Sequence, residues 1–452
     1  MNQQNLTVDF GQVVGAIKPM HAVNNGPIHS HHADQHISNL DSFQEAGIPY
    51  ARTHDASFNA TYGGEHTVDI SAIFPNFDAD AEDPASYDFI VTDEYLRVIQ
   101  LSGAKVFYRL GSKIEHYIKK FNTLPPKDFH KWAVICEHII RHYNEGWANG
   151  FHWNIEYWEI WNEPDLDADD AANKRCWGGT AEQFRELYTI TAQHLKACFP
   201  QLKIGGPAVA GSGDCEWVHK FLELDAPLDF FSWHVYARNP EEMVWRCRLM
   251  RKLLLQHGRT ETESILNEWN YVRGFAGDDW VPSLKTEKSM KGAAFVAAVM
   301  AACQAEPLDL LMYYDARPCC MNGMFNTDFP NERLKGYYPF RMFNTLYQLG
   351  ESVAVESDDP SLYLVAAQGD AGAAIVVTYF NDDAPQADKD IRLTLKQLAL
   401  PKGARVVYSL LDETHDDEVV REECISPCAE SCTLALHMPL YSSMLIRILP
   451  VD

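Results

Sequence analysis

The sequence predicts an α/β chain: a (β/α)8 TIM barrel with an accessory C-terminal antiparallel β-sandwich domain. Three observations lead there. Between about residues 12 and 345, short apolar runs alternate with longer stretches of helical spacing. Eight such runs separate cleanly, the number a closed parallel barrel needs. After about residue 350 the helical spacing stops, and strand-like runs divided by turn-rich or acidic segments take over.

In chain order the expected barrel strands are 13–17, 50–53, 105–110, 157–161, 203–206, 230–233, 264–268 and 308–313. Between them, 129–143 sets Trp132, Ile135, Cys136, Ile139 and Ile140 three and four residues apart, which makes one helical face apolar. The stretch 182–197 does the same with Phe184, Leu187, Tyr188, Thr191 and Leu195, and 290–305 is an alanine-rich helix able to pack closely on a barrel wall. These stripes read as the core of an outer helical ring, not as cofactor boxes. Farther on, 361–380, 390–398, 404–411 and 433–449 read as strands, with Leu393 and Leu395 alternating. Residues 6–10 are expected to add a strand to them. The domains are therefore expected at 12–345 for the barrel and at 350–452, joined by 1–11, for the sandwich.

Composition narrows the function. A formal net charge of -25 opposes nucleic-acid binding, which needs clustered Lys and Arg against phosphates. No stretch approaches the roughly twenty apolar residues of a membrane helix. The opening MNQQNLTVDF has neither the basic nor the apolar region of a secretory signal. A cytoplasmic protein without nucleic-acid or membrane partners is expected. The 11 cysteines are scattered and odd in number, so they read as free thiols. Cys424, Cys428 and Cys432 recur every fourth residue near His437, but the paired spacing of zinc ligands is missing. His29, His31, His32 and His36 sit together with Asp34 in the first βα loop and read as a polar loop. No metal or cofactor is expected.

In a barrel the chemistry lies at the C-terminal ends of the strands, where the βα loops form the open mouth. Two runs put carboxylates there. Trp158-Glu159-Ile160-Trp161-Asn162-Glu163-Pro164-Asp165 is an apolar strand running into an Asn-Glu pair that Pro164 terminates. A carboxyl at the rim of a partly apolar pocket has its charged form disfavoured, so it can hold a proton at neutral pH and donate it. Ser264-Ile265-Leu266-Asn267-Glu268-Trp269-Asn270 is a second such strand. Beside cationic or hydroxyl partners Glu268 would stay ionised, as a nucleophile must. Taken singly, each Glu reads first as the partner of a barrel Arg. Together they supply the two carboxyls of retaining glycoside hydrolysis.

These two runs resemble the catalytic signatures of clan A glycoside hydrolases, and within the clan glycoside hydrolase family 39, which includes β-xylosidases and α-L-iduronidases. Lys18-Pro19-Met20-His21, Asn24-Asn25-Gly26-Pro27, Gly205-Gly206-Pro207 and His234-Val235-Tyr236 are further points of likeness. The resemblance implies Glu163 as acid/base and Glu268 as nucleophile. It implies Asn162 on the sugar 2-hydroxyl, Arg52 and Tyr236 on the nucleophile, and His54 and His234 lining the sugar subsite, with Trp269 also at the substrate. The clan commonly carries a Trp at the end of strand eight. Here the run is Leu311-Met312-Tyr313-Tyr314-Asp315-Ala316-Arg317, so Tyr313 is expected as the platform and Asp315 as a substrate contact. Arg109, on the third strand, stands where an apolar residue is expected.

The implied activity is that of an exo-acting β-glycosidase, β-xylosides first, on short oligosaccharides, and a homo-oligomer is compatible with the likeness. The same machinery also suits an α-L-arabinofuranosidase, a β-glucosidase, a galactosidase or a uronide glycosidase. The last needs cations for a carboxylate, for which Lys18, Arg109 and Arg317 are candidates. A sugar-binding barrel without turnover is the reading from another class.

Overall fold

The computed structural model describes residues 4–29, 37–55, 66–383, 386–398, 400, 402–427 and 431–451. The chain opens with β1 (Gln4–Ala16), β2 (Ala22–Asn24), α1 (Leu40–Ala46), β3 (Tyr50–Arg52), α2 (Ile70–Ile73) and α3 (Ile90–Leu101). It continues through β4 (Lys105–Leu110), α4 (Phe129–Glu145), β5 (Tyr157–Ile160), α5 (Ala181–Cys198), β6 (Lys203–Val209), α6 (Glu216–Leu222), β7 (Phe230–Ala237) and α7 (Pro240–Gln256). Then come β8 (Glu263–Tyr271), α8 (Trp280–Glu287), α9 (Met290–Gln304), β9 (Leu310–Tyr313) and α10 (Tyr338–Leu349). Strands β2 to β9 close in chain order into a parallel barrel.

The barrel floor is a packed layer, not a pore. Ala22, Phe107, Tyr157, Phe230, Ile265, Leu310 and Met312 form one buried cluster, with the Phe107 and Tyr157 rings stacked at 5.0 Å. Because side chains alternate along a strand, that layer fixes which later residues face the mouth. The helical stretches fold as expected, with capping that suits them. Asp128 caps α4 by accepting the Lys131 N–H, and Thr180 with Gln183 forms a reciprocal capping box on α5. Helix α9 is buried nearly all round because it lies between the barrel and the second sheet, where Phe295 meets Phe380.

That sheet contains β10 (Glu351–Ser357), β11 (Leu362–Gly369), β12 (Gly372–Tyr379), β13 (Lys389–Lys396), β14 (Ala404–Leu411), β15 (Asp416–Ile425), β16 (Ser431–Met438) and β17 (Ser442–Pro450). With β1 they give nine strands in the order β15-β14-β17-β12-β11-β10-β1-β13-β16. All pairs are antiparallel except β1 with β13. The sheet curls on itself. Leu393 and Leu436 from one wing share a core with Val406 and Ile446 from the other, and Arg421 on β15 donates to the Ala435 carbonyl on β16 at 3.0 Å. The result is a sandwich made by one sheet.

One expected barrel strand is corrected. The run 13–17 lies largely in β1 of the curled sheet, where Val13 and Val14 stay about half exposed against the register of β10. The barrel's first strand is Ala22–Asn24, three residues that periodicity cannot single out.

Candidate active site

Each strand end delivers its side chain by a local feature of the backbone. On β7 the alternation is regular, so Phe230, Ser232, His234 and Tyr236 all face the barrel axis. Strand β5 ends at Ile160. Trp161 and Glu163 then take left-handed φ values of 76° and 49°, which breaks the alternation. Trp161 turns out against Trp132 and Trp177, and Asn162 and Glu163 both turn in. On β8 a register shift between the Trp233–Leu266 and His234–Glu268 pairs has the same effect. Asn267 and Glu268 both face the axis, and Trp269 is sent outward.

Arg52 organises the cavity. It is fully buried, and its guanidinium donates to four residues: Nε to Glu159 Oε2 at 2.7 Å, Nη1 to Glu268 Oε1 at 2.9 Å and to Asn24 at 3.0 Å, and Nη2 to Asn162 at 2.6 Å. Glu159 is saturated from the other side by Ser232 at 2.6 Å and Asn267 at 2.5 Å. Glu268 receives a second hydrogen bond from the Tyr236 hydroxyl, at 2.9 Å to Oε2.

Glu163 is in a different environment. Its nearest polar partner is His234, with Nδ1 at 2.8 Å from Oε1, and Cys176 Sγ lies 3.7 Å from Oε2. Burial pushes its carboxyl above the usual range, against the pull of His54 and Arg52. Burial also brings His234 down to about 4, so a neutral imidazole faces Glu163. One oxygen from each Glu and one nitrogen of His234 lie within 4.8 Å of one another. The cavity thus holds one carboxyl fixed by a cation and another whose hold on its proton burial strengthens.

Of the residues anticipated from sequence, Glu163, Glu268, Asn162, Arg52, His54, His234 and Tyr236 converge. His54 places Nε2 3.5 Å from Glu268 Oε1. Trp269 and Tyr313 stand elsewhere. Trp269 packs on Phe295 and Tyr313, and Tyr313 packs on Phe340 with its hydroxyl on the Gly323 N–H, so both belong to the layer between barrel and helices. Asp315 is fully buried beside the mouth and accepts from Asn25 at 2.9 Å. An aromatic ring that does reach this cavity is Tyr314, half-buried against His54 and near Tyr236. Its signal was present in the sequence: Leu310 and Met312 face the axis, so Tyr314 follows at period two. Arg109 is explained by position. It donates to Asp69 at 2.9 Å and to the His54 carbonyl at 2.8 Å, holding the turn that carries His54.

The profile of glycosyl hydrolases family 39 matches residues 6–317. The chain belongs to that family. Two β-xylosidases are similar to this family 39 chain. That of Geobacillus stearothermophilus is 25% identical over 301 residues, or 59% of this chain and 54% of its own. That of Caldicellulosiruptor saccharolyticus is 27% identical over 250 residues, 51% and 46%. The chain therefore spans about half the length of the curated relatives it matches. Among solved structures, a glucosidase from Croceicoccus marinus superposes with a TM-score of 0.82 at 21% identity, each chain covered in full. A monomeric β-xylosidase from Caulobacter crescentus CB15 gives 0.69 at 17%, with 99% and 100% covered. At such identities these two establish the fold.

The described members of the sulfur and imidazole clusters take no part in the cavity. Cys424 is an exposed free thiol, Cys432 lies on β16, His437 is held by Asp390 at 2.9 Å, and Cys428 lies outside the described residues. His29 meets Ser38 at 3.1 Å, and His31, His32 and His36 lie outside the described residues. Among the described residues no helix is long and apolar enough to cross a membrane.

Proposed function

We propose that this family 39 chain hydrolyses glycosides with retention of configuration, as an exo-acting β-glycosidase of the β-xylosidase type on short oligosaccharides. One observation carries the reading: oxygens of Glu163 and Glu268 approach within 4.8 Å across the cavity. Retaining enzymes hold their two carboxyls about 5–5.5 Å apart, whereas inverting ones need about 6.5–9.5 Å to seat a water between carboxylate and sugar. Glu268 attacks the anomeric carbon while Glu163 gives its proton to the departing oxygen, which leaves a glycosyl ester on Glu268. Glu163, now ionised, takes a proton from water as the water's oxygen attacks the same carbon, and the sugar and a free Glu268 carboxylate result. Arg52 and Tyr236 orient Glu268, and Asn162, locked by Arg52, meets the 2-hydroxyl.

The β-xyloside assignment leans on the two β-xylosidase relatives. A uronide is disfavoured because Lys18, Arg109 and Arg317 do not converge. Lys18 donates to the Glu306 carbonyl at 2.6 Å, Arg109 is spent on Asp69, and Arg317 lies 3.1 Å from Asp55 and 3.3 Å from Asp315. A panel of nitrophenyl glycosides separates xylose from arabinofuranose, glucose, galactose and uronic acids. Proton NMR of the first-formed product tests the stereochemistry: a β-xyloside should release β-xylose, and an α-anomer formed first would refute the double displacement.

Two further outcomes follow from Glu163. The Glu163→Gln variant should lose about 10²–10⁴-fold in kcat/KM on alkyl xylosides but little on 2,4-dinitrophenyl xyloside in the glycosylation step, because a good leaving group needs no proton. Equal losses on both would remove Glu163 from the acid role. Activity needs this carboxyl protonated, so kcat/KM should fall as pH rises through its elevated pKa. The basic limb should vanish for Glu163→Gln acting on the activated substrate.

A further inference from the structure

Beyond the two catalytic carboxyls, a third stands one imidazole away. Asp55 directly follows His54, and its backbone is fixed by Asn25, whose Oδ1 accepts the Asp55 N–H at 2.8 Å and the His54 N–H at 3.3 Å. Its Oδ2 is engaged by Arg317 at 3.1 Å and by His54 Nδ1 at 3.4 Å. Its Oδ1 has Lys113 Nζ at 3.7 Å, too long for a hydrogen bond, and no hydrogen-bond partner among the described residues. Burial works to raise this carboxyl, but His54, Arg317 and Lys113 outweigh it and hold it well below the usual range. An ionised oxygen with lone pairs to spare, buried and unpaired, is costly unless something donates to it.

The His54 ring says where that donor comes from. Its Nε2 faces Glu268 Oε1 at 3.5 Å and its Nδ1 faces Asp55, so Asp55 sits one imidazole farther along the wall from the atom that attacks C1. Asp55 is 4% exposed and Glu268 5%, so both carboxyls lie deep in the wall that His54 joins. We infer that Asp55 is a specificity-determining residue, its Oδ1 accepting a hydrogen bond from the 3- or 4-hydroxyl of a neutral sugar bound over Glu268.

The inference rests on the glycosidase reading above and adds the kind of sugar. Arg317 and Lys113 are matched by Asp55 and Asp315, so this wall carries no surplus positive charge for a substrate carboxylate. A hydroxyl is the group it suits. Sites built around a substrate hydroxyl reject the analogue lacking it strongly, because the buried acceptor is then left unpaired.

The test compares kcat/KM for 4-nitrophenyl β-D-xyloside and its 2-, 3- and 4-deoxy analogues in the wild type, Asp55→Ala and Asp55→Asn. The wild type should lose at least about 100-fold on the 3- or 4-deoxy sugar. Asp55→Ala should lose most of its rate on the parent xyloside, shrink that same deoxy penalty below about tenfold, and leave the 2-deoxy penalty in place. Asp55→Asn keeps the side-chain shape and an acceptor oxygen, so it should fall between the two and show that the effect is not misfolding. If turnover is normal and the deoxy pattern of both variants equals that of the wild type, the assignment is overturned alone. A wild type that turns over no glycoside overturns the reading beneath it, and this inference with it.

Discussion

Replacing Glu268 with alanine is expected to lower kcat by on the order of 10⁴–10⁶-fold on every glycoside the protein cleaves. The size of the effect follows from what is removed. With Glu268 gone, Glu163 can still protonate a leaving group, but the carboxylate that attacks the anomeric carbon is missing and solvent water must take its place. The fold should survive, because Arg52 keeps Glu159 as its buried counter-ion and Asn24 and Asn162 as acceptors. The variant should therefore melt close to the wild type while being nearly inactive. The methylenes and carboxylate removed leave a hole beside C1 of the substrate, which an azide ion can enter. Azide should then restore turnover of activated β-xylosides and give an α-xylosyl azide, the product of one displacement instead of two. A Glu268→Ala protein within about tenfold of wild type, or one that azide converts to the β-azide, would show that the nucleophile is elsewhere.

The contrast between what the sequence disclosed and what it hid comes down to backbone regularity. Where a strand keeps its two-residue alternation, its facing could be read in advance. His234 and Tyr236 fall inward as expected from Phe230, and the same rule applied to Leu310 and Met312 would have chosen Tyr314 over Tyr313. Where the alternation breaks, the motif marked the place but not the facing. The left-handed residues at Trp161 and Glu163 and the register shift beside Asn267 put consecutive residues on the same side, and nothing in residue type announces either. Trp269 followed from the same cause: one extra inward residue at Asn267 and Glu268 sends it outward. The first barrel strand was hidden by length. Three residues cannot show a period, and the more apolar run before them pairs in another sheet. The acidic strand β15 was missed because its side chains are mostly exposed and so carry no apolar alternation at all. Arg52 was legible as a partner of Glu268, but its attachment to Glu159 needed the barrel to be closed before the two could meet.

That second attachment makes Arg52 the residue whose loss should cost most in stability. An Arg52→Met variant leaves Glu159 fully buried with Ser232 and Asn267 as its remaining donors and, among the described residues, no counter-ion. Breaking a buried ion pair from one side typically costs about 3–5 kcal/mol, because the surviving charge is stranded in low dielectric. The same change frees Glu268 from its guanidinium contact and unlocks Asn162, so activity should fall at least about 100-fold as well. Stability and catalysis can be separated. Adding Glu159→Gln to Arg52→Met replaces the stranded charge by a neutral amide of the same shape, which should return most of the lost stability in urea unfolding. It does nothing for Glu268, so the double variant should remain as inactive as the single one. Arg52→Lys tests geometry in place of charge. One ammonium cannot reach Glu159, Glu268, Asn24 and Asn162 together as the planar guanidinium does, so it should hold the fold better than methionine and still fail to restore the rate. If the Arg52→Met, Glu159→Gln protein recovered both stability and wild-type turnover, Arg52 would be a structural ion-pair partner only, and the orientation of Glu268 would have to come from Tyr236 alone.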